Sequence, residues 1–281
     1  MIYCLENEFL KISVDTHGAE LSSIFNKKEN KELLLHGDPQ FWGRKSPVLF
    51  PVVGKYKNGK TTYNGKEYAL PQHGFARDSE FTLVEQNETK LVFVLESNED
   101  SLTKYPFKFR LVCSFELKND TIVVGWKVEN TDDKTIYFSI GAHPAFYCEK
   151  DKTVLTMNKE NLKYSLVNSD GLYTPEKYDV ESSFVLHDNI FDKDALIIEN
   201  SNVTEVSLVD NGKNYITVKF DAPLFGIWSP TKKNAPFVCI EPWFGRCDGA
   251  DFNGDITERE WGNFLAIGET WYKEYEIIIH E

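Results

Sequence analysis

Alternation of apolar and polar residues with a period of two limits the fold of this chain more than any other feature. The alternation is clearest in residues 107–128, where the intervening positions are mostly polar. This pattern is typical of strands that turn one face to the core and the other to solvent. Residues 118–120 (Lys-Asn-Asp) favour a turn, so two adjacent antiparallel strands are predicted. Their apolar positions are Phe107, Phe109, Leu111, Cys113 and Phe115, followed by Ile122, Val124, Trp126 and Val128.

Further strands are predicted on both sides of this pair. Two Asn-Gly dipeptides each divide an alternating segment, and Asn-Gly favours a type I′ hairpin turn because both residues readily adopt positive φ. The segment that follows residue 130 is expected to continue the meander. The additional strands are expected in residues 61–70 and 203–220, divided by Asn64-Gly65 and Asn211-Gly212, in residues 80–97, divided at Asn87, and in residues 135–140 and 272–281.

Helical periodicity is almost absent from the sequence. Residues 38–45 ("DPQFWGRK") and 98–106 ("NEDSLTKYP") are each expected to form at most a turn or two of helix. No Pro/Ser-rich linker, low-complexity tract or repeat divides the chain, and all-β domains often reach this length. We therefore predict one all-β domain spanning residues 1–281, built from large antiparallel sheets packed face to face.

Composition restricts the partners. With 31 Lys and Arg against 44 Asp and Glu, the formal charge is −13, which disfavours nucleic acid and anionic membranes. The N-terminus has no signal-peptide pattern, and no apolar run is long enough to span a membrane. Five cysteines without a CxxC spacing are expected to be reduced thiols, as in a cytoplasmic protein.

Two histidines stand out as candidate functional residues. His143 lies in "GAHPAF", where Pro144 keeps its backbone out of the α region and so restricts the direction of the ring. His73 precedes Gly74 in "QHGFAR", and a glycine there permits a close backbone approach or a positive φ. Arg77 ends the same loop. The structural alternative for His143 is a strand-terminal histidine that hydrogen-bonds to the backbone, and for His73 it is a turn with a solvated histidine and arginine. The other histidines have local surface or turn explanations; they are His17, His36, His187 and His280.

Glu241 is the third candidate. It follows the apolar residues 238–240 and precedes Pro-Trp, in "CIEPW". A carboxylate at the end of a buried strand loses hydration, which raises its pKa unless a cation compensates. Its structural alternative is an ion pair with Arg or Lys at the rim of a sheet.

Several common catalytic motifs are missing. The sequence contains no GxGxxG, P-loop, HExxH or GxSxG pattern, so nucleotide-driven chemistry, zinc-dependent hydrolysis and serine hydrolysis all lack their usual marks. Residues 249–260 match the spacing of a calcium-binding EF-hand loop, but Gly249 stands where the first ligand is required. The sequence therefore predicts neither a metal nor a nucleotide cofactor.

Taken together, the ordered motifs "QHGFAR", "GAHPAF" and "IEPW" resemble the aldose 1-epimerase (galactose mutarotase-like) family, and within it the LacX-like branch. Each motif alone has little specificity, but the ordered set is more specific and the resemblance covers essentially the whole chain. Other matching stretches are "VDTHGAELSSIFNK", "LLLHGDPQFWGRKSPVLFPVVGKYKNG", "IFDKDALII" and "GIWSP".

The resemblance implies a β-supersandwich and a cofactor-free sugar mutarotation. By motif, it implies that Glu241 is the base and His143 the acid, placed on opposite sides of the hemiacetal. A glutamate and a histidine divide these roles well near neutral pH. The other implied substrate-binding residues are His73, Arg77, Asp194 and Trp228, with Phe146 as a further lining residue.

One segment departs from the family pattern. "FPVVGKYKNG" has Lys55 and Lys57 where many relatives are expected to carry an arginine. Lysine lacks the planar fork of arginine, which changes how a hydroxyl or phosphate group is recognised. Lys55 could form a basic pocket with Arg44, Lys45 and Arg77, so the aldose is either a free hexose or a phosphorylated one.

Two other functions remain open from the sequence. The first is a non-catalytic carbohydrate-binding or sensing protein on the same scaffold, because fold does not fix function. The second is glycoside hydrolysis, which usually needs two carboxyl groups; Asp194 or Asp248 would have to join Glu241. The retention of both Glu241 and His143 favours the enzyme, since a binding protein needs no acid and base.

Overall fold

Strands dominate the computed structural model, which describes residues 1–280. Within this range the chain forms 24 strands, one α-helix and four short 3-10 helices. The strands are β1 (Ile2–Glu6), β2 (Leu10–Asp15), β3 (Glu20–Asn26), β4 (Lys31–Glu32), β5 (Lys60–Tyr63), β6 (Lys66–Ala69), β7 (Thr82–Gln86), β8 (Lys90–Glu96), β9 (Phe109–Lys118), β10 (Thr121–Asn130), β11 (Ile136–Phe138), β12 (Ile140–Gly141), β13 (Ala145–Tyr147), β14 (Val154–Met157), β15 (Leu162–Tyr164), β16 (Tyr178–Val180), β17 (Ser183–Val185), β18 (Leu196–Glu199), β19 (Glu205–Asp210), β20 (Lys213–Phe220), β21 (Leu224–Trp228), β22 (Phe237–Phe244), β23 (Asn263–Leu265) and β24 (Thr270–Ile279). The helices are α1 (Glu99–Lys104) and the 3-10 segments Lys57–Gly59, Ala76–Asp78, Asp188–Phe191 and Ile256–Glu258.

The largest sheet has nine strands in the order β17-β14-β19-β20-β24-β10-β9-β8-β7. Its neighbouring strands are antiparallel, and the predicted run β7 to β10 forms a meander. Both Asn-Gly hairpins are confirmed, β5 with β6 and β19 with β20. Each of the four turn residues has positive φ, between 49° and 78°, as a type I′ turn requires.

Two local predictions were wrong. Residues 135–140 do not extend the meander, because β11 leaves the nine-stranded sheet and pairs with β23 instead. Residues 38–45 form turns and no helix, and the ammonium group of Lys233 donates to the carbonyl oxygens of Gln40 and Phe41 at 3.1 and 3.0 Å. The backbone N–H groups of Phe41 and Trp42 both donate to the Asp38 carbonyl oxygen, at 3.0 and 2.8 Å, which closes a single turn that does not continue as a helix.

The predicted helical turn in residues 98–106 is confirmed as α1. Asn98 and Ser101 form a capping box, in which each side chain accepts a hydrogen bond from the backbone N–H of the other, both at 2.9 Å. This helix is one and a half turns long. Across residues 1–280, every helix falls short of the length and apolarity that crossing a bilayer demands.

A large apolar cluster packs the nine-stranded sheet against the two sheets opposite it. The opposing sheets are β1-β2-β3-β4 and a five-stranded sheet of β12, β13, β18, β21 and β22. The alternating residues predicted to face inward are all buried in this cluster. Burial of so much apolar surface is the main force that holds the sheets together. Representative members are Phe109, Leu111 and Phe115 of β9, Ile12 and Val14 of β2, and Val238, Ile240 and Phe244 of β22.

Strand β22 is covered on both faces, and all eight of its residues are buried. One face contributes to the large cluster. On the other face, Phe237 and Cys239 join a small apolar cluster, and Trp243 joins another. Glu241 lies on this second face, between the residues of the two small clusters. The alternation of the strand therefore places a carboxyl group among apolar neighbours.

Two glycines make room for the Trp243 indole beside Glu241. Gly141 of β12 and Gly226 of β21 lie against the indole of Trp243. A Cβ atom would lie 2.5 Å from that ring at Gly141 and 2.6 Å from it at Gly226. Since interiors are densely packed, a side chain at these positions would force the indole to move. Bare backbone on both neighbouring strands thus fixes the position of Trp243.

We predict that Gly226→Ala lowers the free energy of unfolding by about 1–3 kcal/mol, because the methyl group overlaps the Trp243 ring. Gly249→Ala is the control, since a Cβ there meets no atom within 4 Å. The control should change stability by less than about 0.5 kcal/mol. Urea unfolding of both variants measures the difference. Equal midpoints for the two variants would show that Trp243 has room to move.

Candidate active site

A cleft of about 320 Å³ opens beside β22 and is lined by seven of the predicted site residues. Its size is at the lower end for small-ligand pockets. Loops from distant parts of the chain supply the walls. The predicted residues that line the cleft are Arg44, His73, Arg77, His143, Asp194, Trp228 and Glu241.

Glu241 lies in the middle of β22, not at its end, and only 1% of its surface is exposed. Neither carboxylate oxygen has a hydrogen bond of good geometry within residues 1–280, and no Lys or Arg ion pair involves it there. The predicted loss of hydration is therefore present without the compensating cation. Burial raises the pKa of Glu241 well above its usual range, and the charge of Asp194 adds to the shift.

His143 meets Glu241 from the segment between β12 and β13. Its Nε2 lies 3.3 Å from Oε2 of Glu241, and its Nδ1 has no hydrogen-bond partner among the described residues. Burial lowers the pKa of His143 to about 3, and the positive charge of Arg77 contributes to this shift. The expectation that acid and base lie on opposite sides of a substrate is not met, because the two groups are side by side.

Burial disfavours both the carboxylate of Glu241 and the imidazolium of His143. It therefore favours the state in which the pair holds one proton on Glu241 and the imidazole is neutral. Moving that proton to His143 creates a contact ion pair without changing the charge of the site. Such a pair can accept one proton and donate another in the same step, which is what bifunctional acid–base catalysis needs.

Aromatic rings hold the imidazole of His143. Trp42 stacks on it with a centroid distance of 4.6 Å and an interplanar angle of 27°. Trp228 and His73 meet its plane nearly at right angles, with centroid distances of 5.3 and 5.6 Å. Trp42 was not among the residues predicted from the sequence, although Arg44 of the same segment was. A large aromatic residue in a Gly- and Pro-containing loop was the available signal.

His73 is held by the backbone of Gly54. The backbone N–H of Gly54 donates to Nδ1 of His73 at 3.1 Å, and the N–H of His73 donates to the Gly54 carbonyl oxygen at 2.6 Å. Burial lowers the pKa of His73 well below its usual range, and the nearby His143 and Arg77 reinforce the shift. Because Nδ1 accepts, the neutral ring carries its proton on Nε2, which lies 3.2 Å from the side-chain amide of Gln72.

The structure confirms that the glycine in "QHGFAR", Gly74, permits a positive φ and a close backbone approach. Its φ is +71°, and a Cβ would lie 2.2 Å from the carbonyl oxygen of Phe50. The backbone N–H groups of Phe75 and Ala76 both donate to the same oxygen at 3.1 Å. This close approach, which no other residue type permits, fixes the loop that carries His73 and Arg77.

Arg44 and Arg77 share one carboxylate at the edge of the cleft. Nη2 of Arg44 lies 2.8 Å from Asp78, while Nε of Arg77 lies 3.8 Å from it. Nη2 of Arg77 donates to the Gln72 carbonyl oxygen at 2.5 Å. Burial and the charge of Arg44 lower the pKa of Arg77 to about 10, so the Arg77 guanidinium is charged at neutral pH. Together with Asp78, the cluster carries one net positive charge.

The remaining predicted residues occupy different positions. Asp194 lines the cleft with φ of +77°, and its carboxylate accepts from the N–H of Ala195 at 2.8 Å. Lys55 does not line the cleft; its side chain lies against Gly171, which does. Phe146 is buried in the large apolar cluster and does not reach the cleft. Asp248 forms a buried ion pair with Arg259 at 2.7 Å.

We predict that Trp42→Ala raises the pKa of His143 from about 3 toward the ordinary histidine value. Removal of the stacked indole admits water, and water stabilises the imidazolium. Trp42→Phe should retain most of the shift because it keeps an aromatic face. NMR titration of the imidazole nitrogens measures both. If the alanine variant titrates like the parent protein, the indole does not exclude water from His143.

Comparisons with known proteins agree with this architecture. The family model for aldose 1-epimerase matches residues 1–277. The plasmid-encoded LacX protein of Lactococcus lactis subsp. lactis is 29% identical, with 98% of each chain covered. The chain superimposes on a galactose mutarotase related enzyme from Lactobacillus acidophilus with a TM-score of 0.95 and 33% identity, covering 100% of this chain and 98% of the other. A galactose mutarotase-like protein from Lactobacillus casei ATCC 334 gives a TM-score of 0.95 and 28% identity over both full chains. The chain belongs to the aldose 1-epimerase family.

Proposed function

We propose that this protein is a cofactor-independent mutarotase that interconverts the α and β anomers of an aldose. The observation that carries this proposal is the contact between Glu241 and His143, two buried proton-transfer groups with opposed pKa shifts in one cleft. Membership of the aldose 1-epimerase family supports the same reaction class. Glu241 is the proposed base and His143 the proposed acid.

The geometry suits a hemiacetal because both reacting oxygens are bonded to the same carbon. The O1 hydroxyl and the ring oxygen O5 are neighbours on C1, so the groups that serve them must also be neighbours. Side chains 3.3 Å apart can reach both oxygens of one hemiacetal. The sugar's hydroxyl groups would hydrogen-bond to the Glu241 carboxylate and lower its pKa, which moves the shared proton to His143.

Ring opening then proceeds with a balanced exchange of protons. Glu241 takes the proton of O1, the C1–O5 bond breaks, and His143 gives its proton to O5. The products are an open-chain aldehyde, a neutral Glu241 and a neutral His143. This neutral state is the one that burial favours. After rotation about C1–C2, the aldehyde closes on its other face as both protons return.

Other residues of the cleft have supporting roles in this proposal. Nε2–H of His73, the guanidinium of Arg77 and the carboxylate of Asp194 are suited to hold sugar hydroxyls, and Trp228 offers an apolar face. Every step is a proton transfer between the protein and the sugar. The reaction as written has no step that calls for a metal or a nucleotide.

The alternative functions fit these observations less well. A sugar-binding protein gains nothing from a buried carboxyl group that lacks good hydrogen bonds, because such a group costs stability. Glycoside hydrolysis needs a second carboxyl group, and Asp248 is unavailable because it is paired with Arg259. Glycoside hydrolysis would therefore depend on Asp194 as its second carboxyl group.

We predict that Glu241→Gln and His143→Gln each slow mutarotation by about 10²–10⁴-fold, since each removes one proton-transfer group. His187→Gln is the matched control, because His187 is exposed and bonded to Asp151 away from this cleft. Polarimetry and exchange NMR on a panel of aldoses measure the rates. Sugar binding without acceleration would support the binding protein, and release of a reducing sugar from a glycoside would support hydrolysis.

A phosphorylated aldose is a second candidate substrate. The observation that favours it is the convergence of Arg44 and Arg77 on the cleft with Asp78 as their shared counter-ion. Nε of Arg77 makes no hydrogen bond within residues 1–280 and has only the long ion pair to Asp78, at 3.8 Å. Guanidinium groups bind phosphate strongly and often through two parallel hydrogen bonds.

We predict that Arg44→Met raises KM for a hexose 6-phosphate by about 10-fold or more, because a charge-assisted hydrogen bond contributes about 1.5–3 kcal/mol. KM for the free hexose should change little. Lys60→Met is the control, since Lys60 pairs with Glu67 outside this cleft. Equal turnover of free and phosphorylated hexoses by the parent protein would remove the basis for a phosphate subsite.

A further inference from the structure

A cysteine lies behind the proposed acid and base. Cys239 and Glu241 are two residues apart on β22, so both side chains point to the same face of the strand. One ligand atom each of His143, Cys239 and Glu241 lies within 4.8 Å of the other two. All three residues are buried. A nitrogen, a sulfur and an oxygen donor therefore converge beside the cleft, which His143 and Glu241 line and Cys239 does not.

These donors match the preferences of Zn²⁺. Zinc binds imidazole, thiolate and carboxylate at about 2.0–2.3 Å, and open sites supply three protein ligands. Tetrahedral ligands at these lengths are about 3.3–3.7 Å apart, so donors within 4.8 Å need to move by about an ångström. Neither oxygen of Glu241 has a good hydrogen bond to break first.

Charge and burial favour the same ion. One thiolate and one carboxylate neutralise Zn²⁺, so the occupied site has no net charge, which keeps the cost of burial low. A purely oxygen-binding ion such as Mg²⁺ would leave the sulfur and nitrogen donors unused. The donor set thus selects a soft or borderline divalent cation.

We propose that His143, Cys239 and Glu241 form a three-ligand Zn²⁺ site whose occupation inhibits the protein. Three protein ligands leave a fourth position for water or a sugar oxygen, and two of the ligands, His143 and Glu241, line the cleft. On binding, the thiol proton of Cys239 and the proton shared by the other two residues pass to solvent. The inhibition rests on the proposed mutarotation. The metal would bind the lone pairs of His143 and Glu241 that accept protons in that reaction. The binding part does not depend on it.

Zinc binding itself is the first test. Titration of the chelator-treated protein with Zn²⁺ against a competing indicator should give one ion per chain. Co²⁺ in the parent protein should show a thiolate-to-cobalt charge-transfer band in the near ultraviolet. Cys239→Ser should abolish the band and weaken Zn²⁺ binding by about 100-fold or more. Loss of a residue that only supports a metal ligand typically weakens binding by about 10–100-fold, so the expected effect is larger. Cys148→Ser is the matched control, since Cys148 is also buried but is not one of the three donors.

Activity is the second test. Zn²⁺ should stop mutarotation by the parent protein, and a chelator should restore it. Cys239→Ser should mutarotate normally in chelator and continue to do so in zinc. Absence of binding, binding undiminished in Cys239→Ser, or a cobalt spectrum without the thiolate band would each overturn the site. Zinc binding by a protein that accelerates no mutarotation would overturn the proposed function and leave the metal site standing.

Discussion

The placement of the Glu241 carboxyl group between two apolar clusters is the constraint on which the rest of the site depends. A carboxylate in that position has lost its hydration and has no cation to replace it. It must therefore hold a proton or share one with a neighbour, and the imidazole of His143 is the neighbour within reach. The reactivity that we propose for the cleft follows from a carboxyl group whose charged form is disfavoured by burial.

The sheets supply the rigidity that this arrangement needs. Strand β22 is hydrogen-bonded to β21 along most of its length and to β12 and β13 on its other side, so Glu241 has little freedom to move toward solvent. Trp243 is confined between Gly141 and Gly226, which closes the neighbouring position to water. Positioned groups on a sheet of this kind are more precisely held than groups on a free loop.

The fold was largely predictable from the sequence because its signals are local. Period-two alternation located β7 to β10, and Asn-Gly dipeptides located two hairpins. Pairing of β11 with β23 was not predictable, since these partners are more than 120 residues apart and no local pattern joins them. Motifs likewise identified Glu241 and His143 as candidate residues. Their side-by-side contact and the stacking of Trp42 were not predictable, because they depend on how distant loops meet.

The way in which His143 is held bears on the reversibility of the proposed anomer interconversion. A histidine whose Nδ1 donates to a fixed acceptor is committed to one tautomer and to greater basicity. Here Nδ1 has no partner among the described residues, and the ring is oriented by Trp42 and Trp228. Stacking fixes the plane of the ring without fixing where its proton lies. Anomers interconvert in both directions through the same open form, so an acid and base that exchange a proton without reorientation serve either direction equally.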